Sequence, residues 1–297
     1  MEEKSLEANR TGQEEAGRQE RVKGRISLLL LTYRRFDGVF TSLDSIFMQD
    51  YPDIEYLIMD GASTDGSVEY IQDLLKQEAA EGKTELIRRH AREARFFSEP
   101  DHGMYEALNK GMRLATGDVI GLVHSDDALI SHQIISEYVN CFDLTAADLV
   151  YGDGEFVDEK NPKKVMRLWV SGKFRRWKVR FGWLPLHPTV YIRRAALNPE
   201  VLYDEQYRMA ADTKFLIYYL HEYPLRICYL QQNVIRMRMG GLSTNPKHRS
   251  RMFMEDVKIY GDYGFSHPSV IKLMKMGWKV PQFINAMFRR LHIPLSI

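Results

Sequence analysis

The sequence predicts an α/β domain built on a central, mainly parallel (mixed) sheet flanked by helices, followed by a helical C-terminal extension. Three observations carry this expectation. Short, continuously apolar runs alternate with segments whose apolar residues recur every three or four positions, the pattern of buried strands joined by crossover helices. Polar residues, Thr32, Asp60 and Asp126 among them, stand just after those runs, where open α/β sheets bind ligands beyond the carboxyl ends of their strands. The chain has 297 residues, 44% hydrophobic and 27% charged, enough to bury one large core.

Residues 1–24 alternate Glu, Arg, Lys and Gln without an aromatic residue and read as a disordered charged tail that cannot offset its ordering entropy. The main domain spans 25–245. "RISLLLLTYRR" places the first strand at Ile26–Leu31, and Val39, Phe40, Leu43, Ile46 and Phe47 mark a helix over Asp37–Met48. "QDYPDIEYLIMDGASTDGS" supplies a turn at Tyr51-Pro52, a strand over Ile54–Met59 ending at Asp60, and a small-residue loop. A helix over Ser67–Gln77 follows. After Phe96-Phe97, "EPDHG" turns the chain into a helix over about 102–115, striped by Met104, Ala107, Leu108, Met112 and Ala115. Thr116-Gly117 stops it, and Asp118–Val123 is the next strand. Asp126 and Asp127 come directly after this strand, where two carboxylates suit a hard divalent cation. Either could instead cap a helix beginning near Ser131, and spacing alone leaves both readings open.

Several classes of function are disfavoured. The formal net charge of +1 provides no global field for nucleic acid. Cys141 and Cys228 lie far apart in the chain without CxxC spacing, so neither a disulfide framework nor a thiolate metal site is expected, and a reducing cytosol fits. The N-terminus lacks the apolar core of a signal peptide, and no run approaches the ~20 apolar residues of a spanning helix. The expectation is a soluble or peripheral protein. "LTYRRFDG" lacks the GxGxxG of a dinucleotide-dependent oxidoreductase.

Two basic, aromatic stretches are left over. Between Lys163 and Arg180, eight lysines and arginines interleave with Trp169, Phe174 and Trp177, and Phe181 and Trp183 follow. This reads either as a cationic surface loop over packed aromatics or as an acceptor- or membrane-facing wall. The extension, residues 246–297, carries Lys272, Lys275, Lys279, Arg289 and Arg290 with no acid beyond Asp262. Ile284, Met287, Phe288 and Leu291 fall on one helical face, which either docks on the main domain or lies in the headgroup region of an anionic membrane.

Five blocks in order resemble the inverting family 2 glycosyltransferases of the GT-A fold: "LLTYRR", "YPDIEYLIMDGASTDGS", "SEPDHGMYEALNKGMRLATGDVIGLVHSDD", "HPTVYIRR" with "AADTKF", and "GGLST". The resemblance implies a Rossmann-like nucleotide-sugar-binding domain that transfers a sugar from a nucleotide-diphosphate donor to an acceptor hydroxyl. By it, Thr32, Tyr33 and Arg34 hold the nucleotide, and Asp60 accepts a hydrogen bond from a uracil N–H, favouring a UDP-sugar. Asn109 and Lys110 are expected near the nucleotide-sugar edge. Ser63 and Asp65 read as turn and cap residues. His124-Ser125-Asp126 occupies the place of the family's Asp-x-Asp metal motif, with Ser125 and Asp126 on the donor side and His124 replacing the first acid. Asp126 and Asp127 would hold the divalent metal, Mg or Mn. Asp212 would be the base that deprotonates the acceptor. His187 is either an acceptor or phosphate contact or a satisfied histidine beside Pro188. Gly240-Gly241 would hinge a loop over the donor.

The implied partners are the donor, a saccharide or lipid-linked saccharide acceptor of bacterial cell-envelope polysaccharide or glycolipid biosynthesis, and a second copy in a homo-oligomer. The implied location is cytoplasmic, with peripheral contact to the inner face of the plasma membrane, and no nucleic acid partner. The alternatives are a non-catalytic nucleotide-sugar-binding protein of this fold, or a sugar nucleotidyltransferase, which needs a Gly-rich phosphate loop absent after the first strand.

Overall fold

Ile26–Thr32 forms β1 with every residue buried, the outcome for an apolar run with strands on both sides. In this computed structural model, which describes residues 24–81, 93–241 and 246–290, β2 (Ile54–Asp60) and β4 (Val119–His124) flank β1 in parallel register. β3 (Ala94–Ser98) pairs parallel to β2. Helices α1 (Phe36–Phe47), α2 (Ser67–Glu81) and α3 (Met104–Leu114) lie in the crossovers. The register sets Thr32 opposite Asp60, Asp60 opposite Ser98 and Leu31 opposite His124, so these residues share one edge of the sheet.

The second half of the sheet is mixed. After β5 (Asp127–Leu129) and α4 (Ile134–Thr145) come β6 (Leu149–Val157), β7 (Val165–Trp169), the short helix α5 (Arg176–Val179), β8 (Tyr191–Arg193) and β9 (Ile227–Arg238). The order is β3-β2-β1-β4-β8-β6-β9-β5, with β7 on β6. β8 runs antiparallel to both β4 and β6, while β6 and β9 are parallel. Gly121 permits the β4–β8 approach, since a Cβ there would lie 2.1 Å from the Tyr191 ring. Neither Asp126 nor Asp127 caps a helix: Gln133 precedes α4, and Asp127 instead pairs with Met237 of β9.

Successive residues of β1 enter opposite clusters, as a pleated strand requires. Leu28 and Leu30 join Val39, Leu43 and Tyr138 on one face, and Leu29 and Leu31 join Leu108 and Met112 on the other. The second cluster continues through α6 (Ala211–Ile217) into the extension, which comprises α7 (Arg249–Asp262), α8 (Pro268–Gly277) and α9 (Val280–Arg290). Phe215 and Leu216 share it with Ile259, Tyr260, Phe265 and Ile271. Two polar ties reinforce this packing. Glu255 accepts the Met209 and Ala210 N–H groups at 2.7 and 3.0 Å. Fully buried Asp256 pairs with Lys272 and, at 2.8 Å, with Lys275, which also donates to Thr213 Oγ1 at 2.6 Å.

Asp256→Ala would leave two lysine charges behind without their carboxylate, so a loss of about 3–5 kcal/mol is expected. Denaturant unfolding checks it; a loss below about 1 kcal/mol, the value of a surface pair, would mean that this cluster does not hold the extension in place.

Of the apolar stripe expected on the last helix, Ile284 and Met287 are exposed and Phe288 is half-buried. On α9 the buried positions are Gln282 and Ala286, and Phe283 is exposed as well; Leu291 lies outside the described residues. Among the described residues no helix is long and apolar enough to cross a membrane. The two cysteines, distant in sequence, meet between α4 and β9 with sulfurs 3.3 Å apart, both as free thiols. Burial, reinforced by Cys228, pushes the Cys141 thiol up to about 12.

Candidate active site

The edge formed by β1, β2 and β3 is organised by Asp60. Its buried carboxylate accepts the Ser63 N–H (2.9 Å), the Ser63 hydroxyl (2.5 Å) and the Ser98 hydroxyl (2.7 Å). Ser63 Oγ in turn accepts the N–H of Arg34 at 2.8 Å, a residue with φ +49°. Asp65 accepts the Ser67 hydroxyl (2.6 Å) and the Phe36 N–H (3.1 Å), tying together the starts of α1 and α2. Ser63 and Asp65 are thus the turn and cap residues the sequence implied. Tyr33 is 54% exposed, with the Arg34 guanidinium 5.2 Å from its ring centroid. Glycine at 61 lets these side chains close in, because a Cβ there would come 2.7 Å from Asp101 Oδ2 and 3.0 Å from Tyr33 and would push them aside. Thr32 Oγ1 is buried with no partner among the described residues. Together these form an open aromatic plate beside a fixed carboxylate, a shape suited to a nucleoside.

Of two expected donor-side residues, Asn109 turns into the protein, whereas Lys110 stays beside this edge, its charge acting on Asp101. Asn109 is buried and clamps the 203–205 segment, donating to Tyr203 O and Glu205 at 2.8 Å and accepting the Tyr203 N–H at 2.9 Å. Lys110, one step round the helix, bridges Glu99 (3.3 Å) and Glu106 (3.2 Å). Adjacent helical residues point about 100° apart, and each of these side chains already has partners within the protein. Asp101, which the sequence reading took only as part of a turn, stands at Gly61 with its carboxyl raised by burial.

Beyond β4, Asp126 adopts φ +78°, a strained conformation of the kind that gathers at functional sites. Its side chain is 14% exposed, with Arg35 Nε at 3.3 Å and Arg238 Nη1 at 3.8 Å. A Cβ on Gly38 would sit 1.9 Å from Asp126 Oδ1, so α1 approaches this closely only because residue 38 is glycine. Asp127 differs: it is 4% exposed, its Oδ2 has no partner among the described residues, and burial, then the Asp126 charge, pushes its carboxyl well up. The expected pair of ligands therefore reduces to one available carboxylate. Among the described residues no three His, Cys, Asp or Glu side chains gather as a metal site. Asp126 is the carboxylate that could hold a divalent cation such as Mg or Mn. Ser125 holds this turn to the sheet by donating its N–H to Leu31 O at 2.8 Å.

His124 belongs to the other side of the cleft. Its ring lies 6.3 Å from that of His187, and burial, followed by the charge of His187, lowers it to about 3 despite Asp212. His187 is the satisfied histidine of the two readings: it is buried, bonds Tyr203 Oη through Nε2 at 2.7 Å, and is lowered by burial to about 4. Tyr203 stacks between Tyr105 (5.7 Å) and Phe215 (4.4 Å). On this stack Asp212, in the first turn of α6, accepts the Thr213 N–H at 2.8 Å and the Tyr105 hydroxyl at 3.3 Å. Ala210 holds the N-cap position, so Asp212 is not the cap. Burial raises its carboxyl, with Lys275 opposing. Gly240, at φ +105°, follows β9, but the remainder of the expected hinged loop, residues 242–245, lies outside the described residues.

Comparison with known proteins bears on the family and the fold. A PGL/p-HBAD biosynthesis glycosyltransferase of Mycobacterium bovis (strain BCG / Pasteur 1173P2) is 28% identical over 180 residues, 59% of this chain. The chain spans 61% of that relative's length. An uncharacterized glycosyltransferase of Nostoc sp. (strain PCC 7120) is 27% identical over 141 residues, 46% of this chain and 40% of the relative. Among solved structures, S. aureus TarS 1-349 in complex with UDP-GlcNAc matches with a TM-score of 0.61 at 16% identity, covering 89% of this chain and 73% of that one. The mannosyltransferase PcManGT from Pyrobaculum calidifontis, in complex with GDP-Man and Mn2+, gives 0.59 at 16%, covering 91% and 76%. These neighbours share the GT-A glycosyltransferase fold. Residues 27–198, more than half of the chain, match the family described as Glycosyl transferase family 2, and the chain belongs to that family.

Proposed function

We propose that this protein is an inverting glycosyltransferase that moves a sugar from a UDP-sugar to an acceptor hydroxyl with a divalent cation, Mg or Mn. The observation that carries the reading is Asp212, a carboxyl whose proton affinity is raised by burial and whose Oδ1 is fixed by Thr213 and Tyr105. Burial makes both imidazoles of the neighbouring pair poor bases, lowered to about 3 and about 4, which favours Asp212 as the proton acceptor. It takes the proton of the acceptor hydroxyl, whose oxygen bonds to the anomeric carbon as the bond to the diphosphate breaks on the opposite face, inverting that carbon. A cation bound at Asp126 would supply Lewis-acid neutralisation of the departing diphosphate. Arg35 and Arg238, both on Asp126, are placed to pair with phosphate oxygens.

Tyr33 stacks on the base, while Asp60, already accepting three hydrogen bonds, has lone-pair capacity left for a uracil N–H. The acceptor is a saccharide or lipid-linked saccharide of polysaccharide or glycolipid biosynthesis in the bacterial cell envelope, met by a cytoplasmic enzyme lying peripherally on the inner face of the plasma membrane. A second reading, a non-catalytic nucleotide-sugar binder, is favoured by one observation: His124 and a buried Asp127 leave Asp126 as the lone available acid.

Release of UDP from a panel of UDP-sugars, with GDP-mannose as control and with or without Mg or Mn, separates the two. Cation-dependent release is expected; UDP binding without release from any donor would favour the binder. In the same assay Asp60→Asn should reduce discrimination between UDP and CDP by about tenfold, the value of one hydrogen bond to a charged group. Unchanged discrimination would remove Asp60 from the base edge.

A further inference from the structure

The two basic, aromatic stretches, separate in sequence, meet in the structure. Trp169 and Trp183 from the first and Trp278 from the second wall a cavity of about 170 Å³, also lined by Lys178, Lys275 and Lys279. Trp278 Nε1 donates to Phe181 O at 3.0 Å, closing the junction. Behind the wall stands Arg167 of β7, 7% exposed, its guanidinium 4.5 Å from the Trp169 ring centroid and 4.7 Å from that of Phe156. Its Nε donates to Gln282, which also lines the cavity. Its Nη2 is buried without a partner among the described residues.

The charges here do not balance. Asp256 pairs with Lys272 and Lys275, but among the described residues no carboxylate pairs with Arg167, Lys178 or Lys279. Burial lowers Arg167 to about 10; burial, and then the charges of Arg167, Lys275 and Lys272, lower Lys279 to about 8. Cations withdrawn from water without a counter-ion are costly, and an entering anion recovers that cost. The exposed residues of the same elements indicate what kind of anion. Met274 on α8 and Phe283 and Ile284 on α9 are 40%, 52% and 43% exposed, and Trp177 and Phe181 on the first stretch are 57% and 44% exposed. Arg175, Arg176 and Arg180 are exposed on the same stretch. Indole and cation beside an apolar face is the chemistry of a membrane interface.

We propose that this cavity binds the phosphate headgroup of an anionic lipid, with the exposed face of α9 seated among the acyl chains. The proposal rests on the peripheral membrane placement above for the source of the phosphate.

The test is sedimentation of the full-length protein with phosphatidylcholine vesicles, with and without phosphatidylglycerol, at low salt. Phosphatidylglycerol should strengthen binding at least tenfold. Lys279→Met and Lys178→Met should each weaken it by about fivefold, with unfolding midpoint and UDP binding unchanged. Inorganic phosphate should compete and should perturb tryptophan fluorescence in the wild type but not in the double lysine variant. Phe283→Ser with Ile284→Ser should lose vesicle binding yet keep the phosphate response. Lysine variants that bind phosphatidylglycerol vesicles like wild type would overturn the cavity while leaving the peripheral placement standing. A phosphate response without any preference for phosphatidylglycerol would overturn the lipid headgroup. Failure to sediment with either vesicle would remove the peripheral placement and the headgroup with it.

Discussion

Asp212→Asn is expected to lower sugar transfer by about 10²–10⁴-fold, the range for loss of a general base, while UDP binds as in the wild type. The substitution is nearly isosteric. An Asn oxygen still accepts the Thr213 N–H and the Tyr105 hydroxyl that now fix Oδ1, so α6 and the aromatic stack beneath it should persist. What disappears is the ability to take a proton. The pH profile isolates that function. Burial raises the Asp212 carboxyl from its ordinary value, so activity should climb with pH as the carboxyl ionises and fall as pH drops through that raised value. Any limb from His124 or His187, lowered by burial to about 3 and about 4, would persist in the Asn variant, whereas the Asp212 limb would not. A kcat/KM profile whose acid limb is unchanged in the Asn variant, or a variant that loses UDP affinity instead of rate, would assign the base elsewhere.

The half of the fold from β1 to β4 was legible because each of its strands except β3 is a buried, mainly apolar run, interrupted only by Ser27 in β1 and Glu55 in β2 before the polar strand ends, and the helices between them keep a clear period. The other half was not. β8 has three residues, too short to carry a period, and β9 is mostly half-buried, so "ICYLQQNVIRMR" shows neither an apolar run nor strict alternation. Its parallel pairing with β6 joins segments more than seventy residues apart, and local sequence contains nothing that specifies such a partner. The site divides in the same way. Asp60, Asp126 and Asp212 could be singled out because each stands where an element begins or ends. Burial is a tertiary property, so nothing in the sequence separated part-buried Asp126 from fully buried Asp127 or marked His187 as a strut beneath Tyr203. Asn109 and Lys110 depended on which face α3 turns inward, a question a one-residue error reverses. Arg35 had a signal, a second arginine directly after the first strand, whereas Arg238 had none until β9 brought it to Asp126.

Asp126→Asn is expected to weaken Mn2+-dependent UDP binding and to lower transfer by about 10²-fold, equivalent to ~3 kcal/mol of lost charge stabilisation. Asp126 is the one acid of its group left available, held at φ +78° with Arg35 and Arg238 on its oxygens. Removing its charge releases both arginines, so UDP binding without metal should stay level or tighten as guanidinium–phosphate pairs replace guanidinium–carboxylate pairs. That opposite sign is the informative part. A purely structural role for Asp126 would weaken both modes together through a disturbed turn. Gly38→Ala gives an independent check, because its Cβ would meet Asp126 Oδ1 at 1.9 Å and must displace the carboxylate without changing its charge. If the cation depends on where this carboxylate sits, Gly38→Ala should lose Mn2+-dependent UDP binding, as Asp126→Asn does, and keep its metal-free UDP binding. Titrating UDP with and without Mn2+ into both variants decides the matter: wild-type metal dependence in either would remove Asp126 from the cation site and leave the diphosphate to the arginines.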